Sequence, residues 1–212
     1  MIPFRREASL GEMHLARRTL LRGGLGIVAA SAAFAVAPLT LAADNDPIGD
    51  LIARSSPSPA AAEARRLAFD NLHTGETLNV AYWENGAYVP DALSAVNHVL
   101  RDHRTNEVHQ IEPHLLDLLT AVSLRLDTNP NFEVISGYRS PATNAMLHAQ
   151  SSEVAQGSLH MLGEAIDIRI AGLELDRLHG AALGLEMGGV GYYPGSDFVH
   201  MDIGRIRRWS GV

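Results

Sequence analysis

The sequence contains no cysteine and no lysine, so all 17 of its basic residues are arginine. The first absence excludes disulfide frameworks, cysteine nucleophiles and thiolate metal sites together. The second excludes the phosphate-binding lysine of P-loop enzymes and Schiff-base chemistry. Any metal must then be held by His, Asp or Glu. Positive charge is also scarce, with a net charge of -7 over 212 residues. Affinity for a phosphate backbone comes mainly from a clustered basic face, and none is visible, so a nucleic-acid partner is not expected. With 46% hydrophobic residues the chain can bury one substantial core and has no room for two.

The amino terminus reads as a targeting segment. "ARRTLLRGG" places Arg17 and Arg18 ahead of "LGIVAASAAFAVAPLTLAA", a weakly apolar run rich in Ala and Gly that ends in small residues near Ala42 and Ala43. The pattern resembles a bacterial twin-arginine export signal over residues 1–43 and points to the periplasm or cell envelope. An uncleaved membrane anchor competes, since the run is nearly long enough to span; Pro38 and the small residues favour cleavage, leaving no stable membrane insertion. The five arginines and two glutamates upstream of Asp44 leave 12 basic and 22 acidic residues beyond it, a net charge near -10. Residues 44–64, with "SSPSPAAA", read as a linker or loosely docked arm before a domain at 65–212.

Within that domain, "RLAFDNLHTGETLNVAYWENGAYV" has apolar runs separated by turns at Gly75 and Gly86, a hairpin-like layout. Helices are expected from Pro90, with Leu93, Val96, Val99 and Leu100 on one face, and from Pro113, with Leu115, Leu118, Leu119, Val122 and Leu126 as the apolar stripe. "FEVISGY" reads as a strand, "SPATNAMLHAQ" and "ELDRLHGAALGLE" as helices, and "GGVGYY" and "DFVHMDIG" as two closing strands around "PGS". In "EAIDIRI" the period is two, putting Ile166, Ile168 and Ile170 on one side and Ala165, Asp167 and Arg169 on the other. Helices followed by a strand-rich part suggest an α+β fold with a mainly antiparallel sheet. No internal repeat is visible.

Of ten histidines, His14, His73, His98, His103, His109, His114, His148 and His179 lie in the signal region, in turns or on predicted helices and read as ordinary surface or hydrogen-bonded residues. His160, Asp167 and His200 differ. A charged carboxylate in an Ile-rich strand costs several kcal/mol without a compensating cation, and Arg169 is the sole basic neighbour of Asp167 in sequence. A divalent metal would supply the compensation, and His160 at the mouth of the strand and His200 on a possible neighbouring strand could share it. Asp197, three before His200, could reach a metal-bound water or only cap a turn; Arg139 in "SGYRS" could hold a substrate carboxylate or only pair with a surface acid. Gly137 and Gly163 would allow close backbone approach.

"SGYRS", "GSLHMLGEAIDIRI" and "GVGYYPGSDFVHMDIG", in that order, resemble the zinc D,D-peptidases of bacterial cell walls, most nearly the group around murein endopeptidase K. The resemblance runs from about Arg66 to the end. It implies a D-Ala-D-Ala metallopeptidase/hedgehog-like α+β domain with one zinc ion (Zn2+) on His160, Asp167 and His200, Asp197 as general base and Arg139 positioning substrate or steadying the transition state. The expected activity is zinc-assisted hydrolysis of peptide cross-links, with peptidoglycan stem peptides as the partner. A D,D-carboxypeptidase with the same centre and a non-hydrolytic zinc-containing wall-binding module are the other readings. Asp197 and Arg139 argue against the last, since a structural zinc site needs neither. Asp202 is the next candidate for the base, and Glu164, ahead of the strand, reads as structural.

Overall fold

The computed structural model describes residues 64–151 and 154–211; the expected signal and nearly all of the arm before the domain lie outside them. Strands β1 (Arg65–Asn71) and β2 (Thr77–Glu84) form an antiparallel hairpin with Phe69 opposite Leu78. Its turn is closed by the Asn71 side chain, which accepts from the backbone N–H groups of His73 and Thr74. At "ENG", Asn85 and Gly86 both adopt positive φ, 54° and 81°, the two-residue turn geometry that returns the chain as β3 (Ala87–Tyr88).

Pro90 and Pro113 each occupy the first turn of a helix, α1 (Pro90–Val99) and α2 (Pro113–Leu126), where a missing N–H costs nothing. Helix α2 is buried on more than the expected stripe: every residue from Leu115 to Ser123 is inside, because the helix lies between β1 and a later helix, α4 (Leu175–Leu183). Its buried polar groups are satisfied locally, Thr120 donating to the Leu116 carbonyl and Ser123 to that of Leu119. Asp117, fully buried, accepts from Arg65 at 2.6 Å, Tyr82 at 2.8 Å and Tyr88 at 2.6 Å, which ties the hairpin to α2.

Strands β4 (Asn131–Ser136), β5 (Ala165–Ile170), β6 (Gly189–Tyr193), β7 (Phe198–Asp202) and β8 (Arg207–Ser210) complete an eight-stranded sheet of order β3-β2-β1-β4-β5-β7-β6-β8. Only β1 with β4 and β6 with β8 pair in parallel, so the sheet is mainly antiparallel and the fold α+β, as expected. The hairpin-like layout expected ahead of the helices is present as β1 to β3, with β1 beside β4 through a long parallel crossover; β8, a short Arg-rich stretch without alternating apolar residues, is not expected from the sequence. Helix α3 (Pro141–Gln150) starts at Ser140, whose hydroxyl accepts from Thr143 N.

The sheet has two occupied faces around the middle strands. Ile166 and Ile168 of β5 and Val199 and Met201 of β7 join the core, where α4 packs. Their alternating neighbours Asp167 and His200 are directly opposed in the β5/β7 register and lie on the other face. Among the described residues no helix is long and apolar enough to cross a membrane.

Replacing Asp117 with Ala should remove the acceptor that Arg65, Tyr82 and Tyr88 share and cost about 2–4 kcal/mol in urea unfolding. A loss too small to resolve would show that the hairpin is held by apolar packing alone.

Candidate metal centre

His160 sits in a 3-10 turn (Leu159–Leu162) that opens at Ser158 and closes at Gly163 with φ of 70°. A Cβ on Gly163 would run into the Gln110 carbonyl, so glycine is required there by both conformation and space. The "SGYR" segment is pinned alongside: Tyr138 N donates to the Leu100 carbonyl at 2.8 Å and Arg139 N to that of His160 at 3.1 Å. Gly137 lies against Leu100 too closely for a side chain and turns its own carbonyl to His160 Nδ1 at 2.7 Å.

These elements bring His160, Asp167 and His200 together, all buried, with one potential ligand atom from each lying within 4.8 Å of the others. Asp167 Oδ1 is 3.2 Å from His160 Nε2 and 2.8 Å from His200 Nδ1, and the two ring nitrogens are 3.2 Å apart. The hydrogens of both rings are committed elsewhere. His160 Nδ1 faces a carbonyl, which only accepts, so that nitrogen carries the proton. His200 Nε2 faces Asp202 Oδ2 at 2.9 Å. Burial opposes ionisation of Asp202, but its hydrogen bonds from His200 and Arg207 prevail and hold its carboxyl down at about 2, so it too only accepts.

The neutral rings therefore present bare lone pairs to a carboxylate oxygen, three acceptors with no hydrogen among them. A cation must occupy the centre. Without a metal the cation is a proton on His200: burial works against it, yet the hydrogen bonds to Asp167 and Asp202 raise this histidine to about 9. Burial acts in the same sense on His160 and prevails there, holding it below its usual range, and Asp167, despite its own burial, is kept ionised by the two histidines. Two imidazoles and one carboxylate with an open side form a donor set suited to zinc in a catalytic site.

Arg139 is also placed at the centre. Its Nη2 reaches Asp167 Oδ2 and Ser136 Oγ, each at 3.3 Å, while its buried Nε has no partner. Asp197 is not brought into the trio. It stands in the left-handed region with φ of 53°, its side chain 62% exposed and bonded to Arg169 at 2.8 Å, although its neighbours Ser196 and Phe198 line the cleft. Asp202 is buried behind His200 with its oxygens fully engaged, which removes it as a base and gives it an orienting role. Glu164 contributes a backbone bond, its carbonyl accepting from Ile203 N, as fits a structural residue.

The remaining histidines outside the signal region all have partners away from the trio: His73 stacks on His103, His109 on Tyr138 and His179 on Tyr192, while His98, His114 and His148 meet Glu76, Glu112 and the Val154 carbonyl. Reading the sequence missed Arg207, Tyr193 and Trp209, which line the cleft above the trio; the period of β7 places Asp202 on the face of His200 and could have revealed its part. The cleft holds about 360 Å³, and among the described residues that line it the only carboxylate is that of Asp167.

Site and fold together place a buried two-histidine, one-carboxylate group that could hold a metal ion at a cleft on one face of an α+β sheet. The sequence signature of the Peptidase M15_2 family, described as peptidoglycan L,D-endopeptidase MepK, matches residues 59–209, and the chain belongs to this family. It is 43% identical over 159 residues to the probable peptidoglycan L,D-endopeptidase MepK of Haemophilus influenzae, covering 74% of this chain and 83% of the relative. To the peptidoglycan L,D-endopeptidase MepK of Escherichia coli K12 it is 42% identical over 155 residues, covering 73% and 82%. No solved structure matches it significantly. These names carry L,D where the motif resemblance implied D,D.

Because a metal has to displace the proton from His200, apparent metal affinity should fall about tenfold per pH unit as pH drops below about 9 and level off above it. Chelator-competition titrations from pH 6 to 10 measure this slope; affinity independent of pH would show that no proton occupies the centre.

Proposed function

We propose that this protein is a zinc-dependent peptidoglycan endopeptidase that hydrolyses an amide bond in the peptide cross-links of the wall, with His160, Asp167 and His200 as zinc ligands. The observation that carries the reading is the convergence of two buried imidazole nitrogens and a carboxylate oxygen within 3.2 Å of one another at the floor of a cleft. The relatives' names favour an L,D linkage over the D,D linkage of the motif resemblance. Zinc held by this trio would supply Lewis-acid polarisation of a scissile carbonyl and activation of the attacking water.

The chain's own residues do the rest. Gly137 and Asp202 fix the tautomers of the two histidines. Arg139 holds Asp167 and keeps a spare donor at Nε, suited to a substrate carbonyl or carboxylate; on an otherwise acidic protein it makes a local positive centre for stem peptides. With Asp167 engaged as a ligand, no other described residue of the cleft lining carries a carboxylate, which turns the search for a proton acceptor to the rim. Asp197, between two lining residues and three before His200, is assigned that role, with Arg169 holding its carboxylate outward in the free protein.

We further infer export by the twin-arginine route into the periplasm or cell envelope, with residues 1–43 as the signal and 65–212 as the peptidase domain. Changing Arg17 and Arg18 together to Lys should leave the protein in the cytoplasm, seen by fractionation; undiminished export would refute this route.

Purified protein incubated with defined cross-linked muropeptides should convert them to shorter products with zinc and not after chelation. Intact substrate with zinc bound would make the protein a wall-binding module, and release of a terminal residue alone would make it a carboxypeptidase. Asp197→Asn should retain zinc and lose turnover by roughly two to four orders of magnitude. Near-normal turnover in that variant would remove Asp197 as the base.

A further inference from the structure

We propose that Arg207 on β8, acting through Asp202, is the positioning residue that fixes the ring and tautomer of His200, so that zinc affinity depends on the last strand of the sheet. This rests on the zinc reading above. Asp202 is fully buried, and its two oxygens divide their work. Oδ1 accepts from Gly189 N at 3.0 Å, Gly204 N at 2.9 Å and Arg207 Nη1 at 3.0 Å; Oδ2 accepts from Arg207 Nη2 at 2.7 Å and His200 Nε2 at 2.9 Å. The guanidinium fork thus sets the carboxylate plane and supplies the charge that keeps it ionised in a buried place. An ionised carboxylate requires a proton on His200 Nε2, which leaves Nδ1 bare toward Asp167 and His160.

The neighbouring strand is shaped for this clamp. β8 pairs in parallel with β6, Arg207 beside Gly189 and Trp209 beside Gly191. A Cβ on Gly189 would collide with the Asp202 carboxylate and with Arg207 Nη1, and one on Gly191 with the Trp209 ring at 2.6 Å. The glycines of "GGVGYY", which the zinc ligands alone leave unexplained, form the slot in which the clamp sits. Trp209 closes it from above: the Arg207 guanidinium lies 5.0 Å over its ring, the ring is 5.2 Å from that of His200, and its Nε1 donates to Tyr193 OH at 2.9 Å. Lysine would restore the charge but not the fork.

The test compares the wild-type chain with Arg207→Gln and Arg207→Lys. Zinc affinity is measured by chelator competition, and the His200 Nε2–H is observed by 15N-resolved NMR of the zinc-loaded proteins. Arg207→Gln is expected to bind zinc about 10–100-fold more weakly and to lose or broaden the Nε2–H signal, with Arg207→Lys intermediate. A folded Arg207→Gln protein with wild-type affinity, or with an unchanged Nε2–H signal, would overturn the relay. Should that variant not fold, Arg207→Lys carries the same test, and unchanged affinity and signal there would overturn it equally. Failure of the wild type to bind zinc would instead refute the zinc reading.

Discussion

Asp167 Oδ1 has two imidazole nitrogens within 3.2 Å, and while both rings are neutral it has no hydrogen atom to share with either, because their protons point away to a carbonyl and to a second carboxylate. Much of the structure around the cleft serves that arrangement. Its electrostatic conflict inside a buried site is resolved only by a cation, and the identity of the cation decides what the protein can do. A proton makes an inert hydrogen-bonded cluster, whereas a divalent metal makes a Lewis-acid centre facing a cleft.

The fold supplies the geometry by using both faces of two strands. In β5 and β7, isoleucine, valine and methionine anchor the core side, and the rigidity they confer is passed to Asp167 and His200 on the reverse. His160 comes from a turn rather than a strand, so its position depends on glycines that admit close backbone contacts, Gly163 against Gln110 and Gly137 against Leu100. The hairpin at the far edge takes no part in the site and is held separately by Asp117.

Where side-chain periodicity carries the information, the sequence was informative. The alternation in "EAIDIRI" put Asp167 opposite the isoleucines, the Ser-Pro start announced α3, and the glycines of "HTGE" and "ENG" marked the hairpin turns. The three blocks that resembled a peptidase family also lay within the region its signature matches. Tertiary pairing was not legible. β8 has too few apolar residues to announce a strand, and its place beside β6 arises because Gly189 and Gly191 leave room for Arg207 and Trp209. The burial of α2 on nearly all sides reflects the later helix packed against it, which no local pattern encodes. Asp197 illustrates the same limit, since spacing from His200 indicates proximity in the chain but not which way a rim side chain turns.

The most direct test of the central claim is zinc-edge X-ray absorption on protein loaded with one equivalent of zinc. The result expected is a first shell holding two imidazole nitrogens and a carboxylate oxygen at about 2.0–2.2 Å, lost when His160 or His200 is replaced by alanine. A shell without paired imidazole scattering, or one unchanged by those replacements, would place the metal elsewhere and contradict the account.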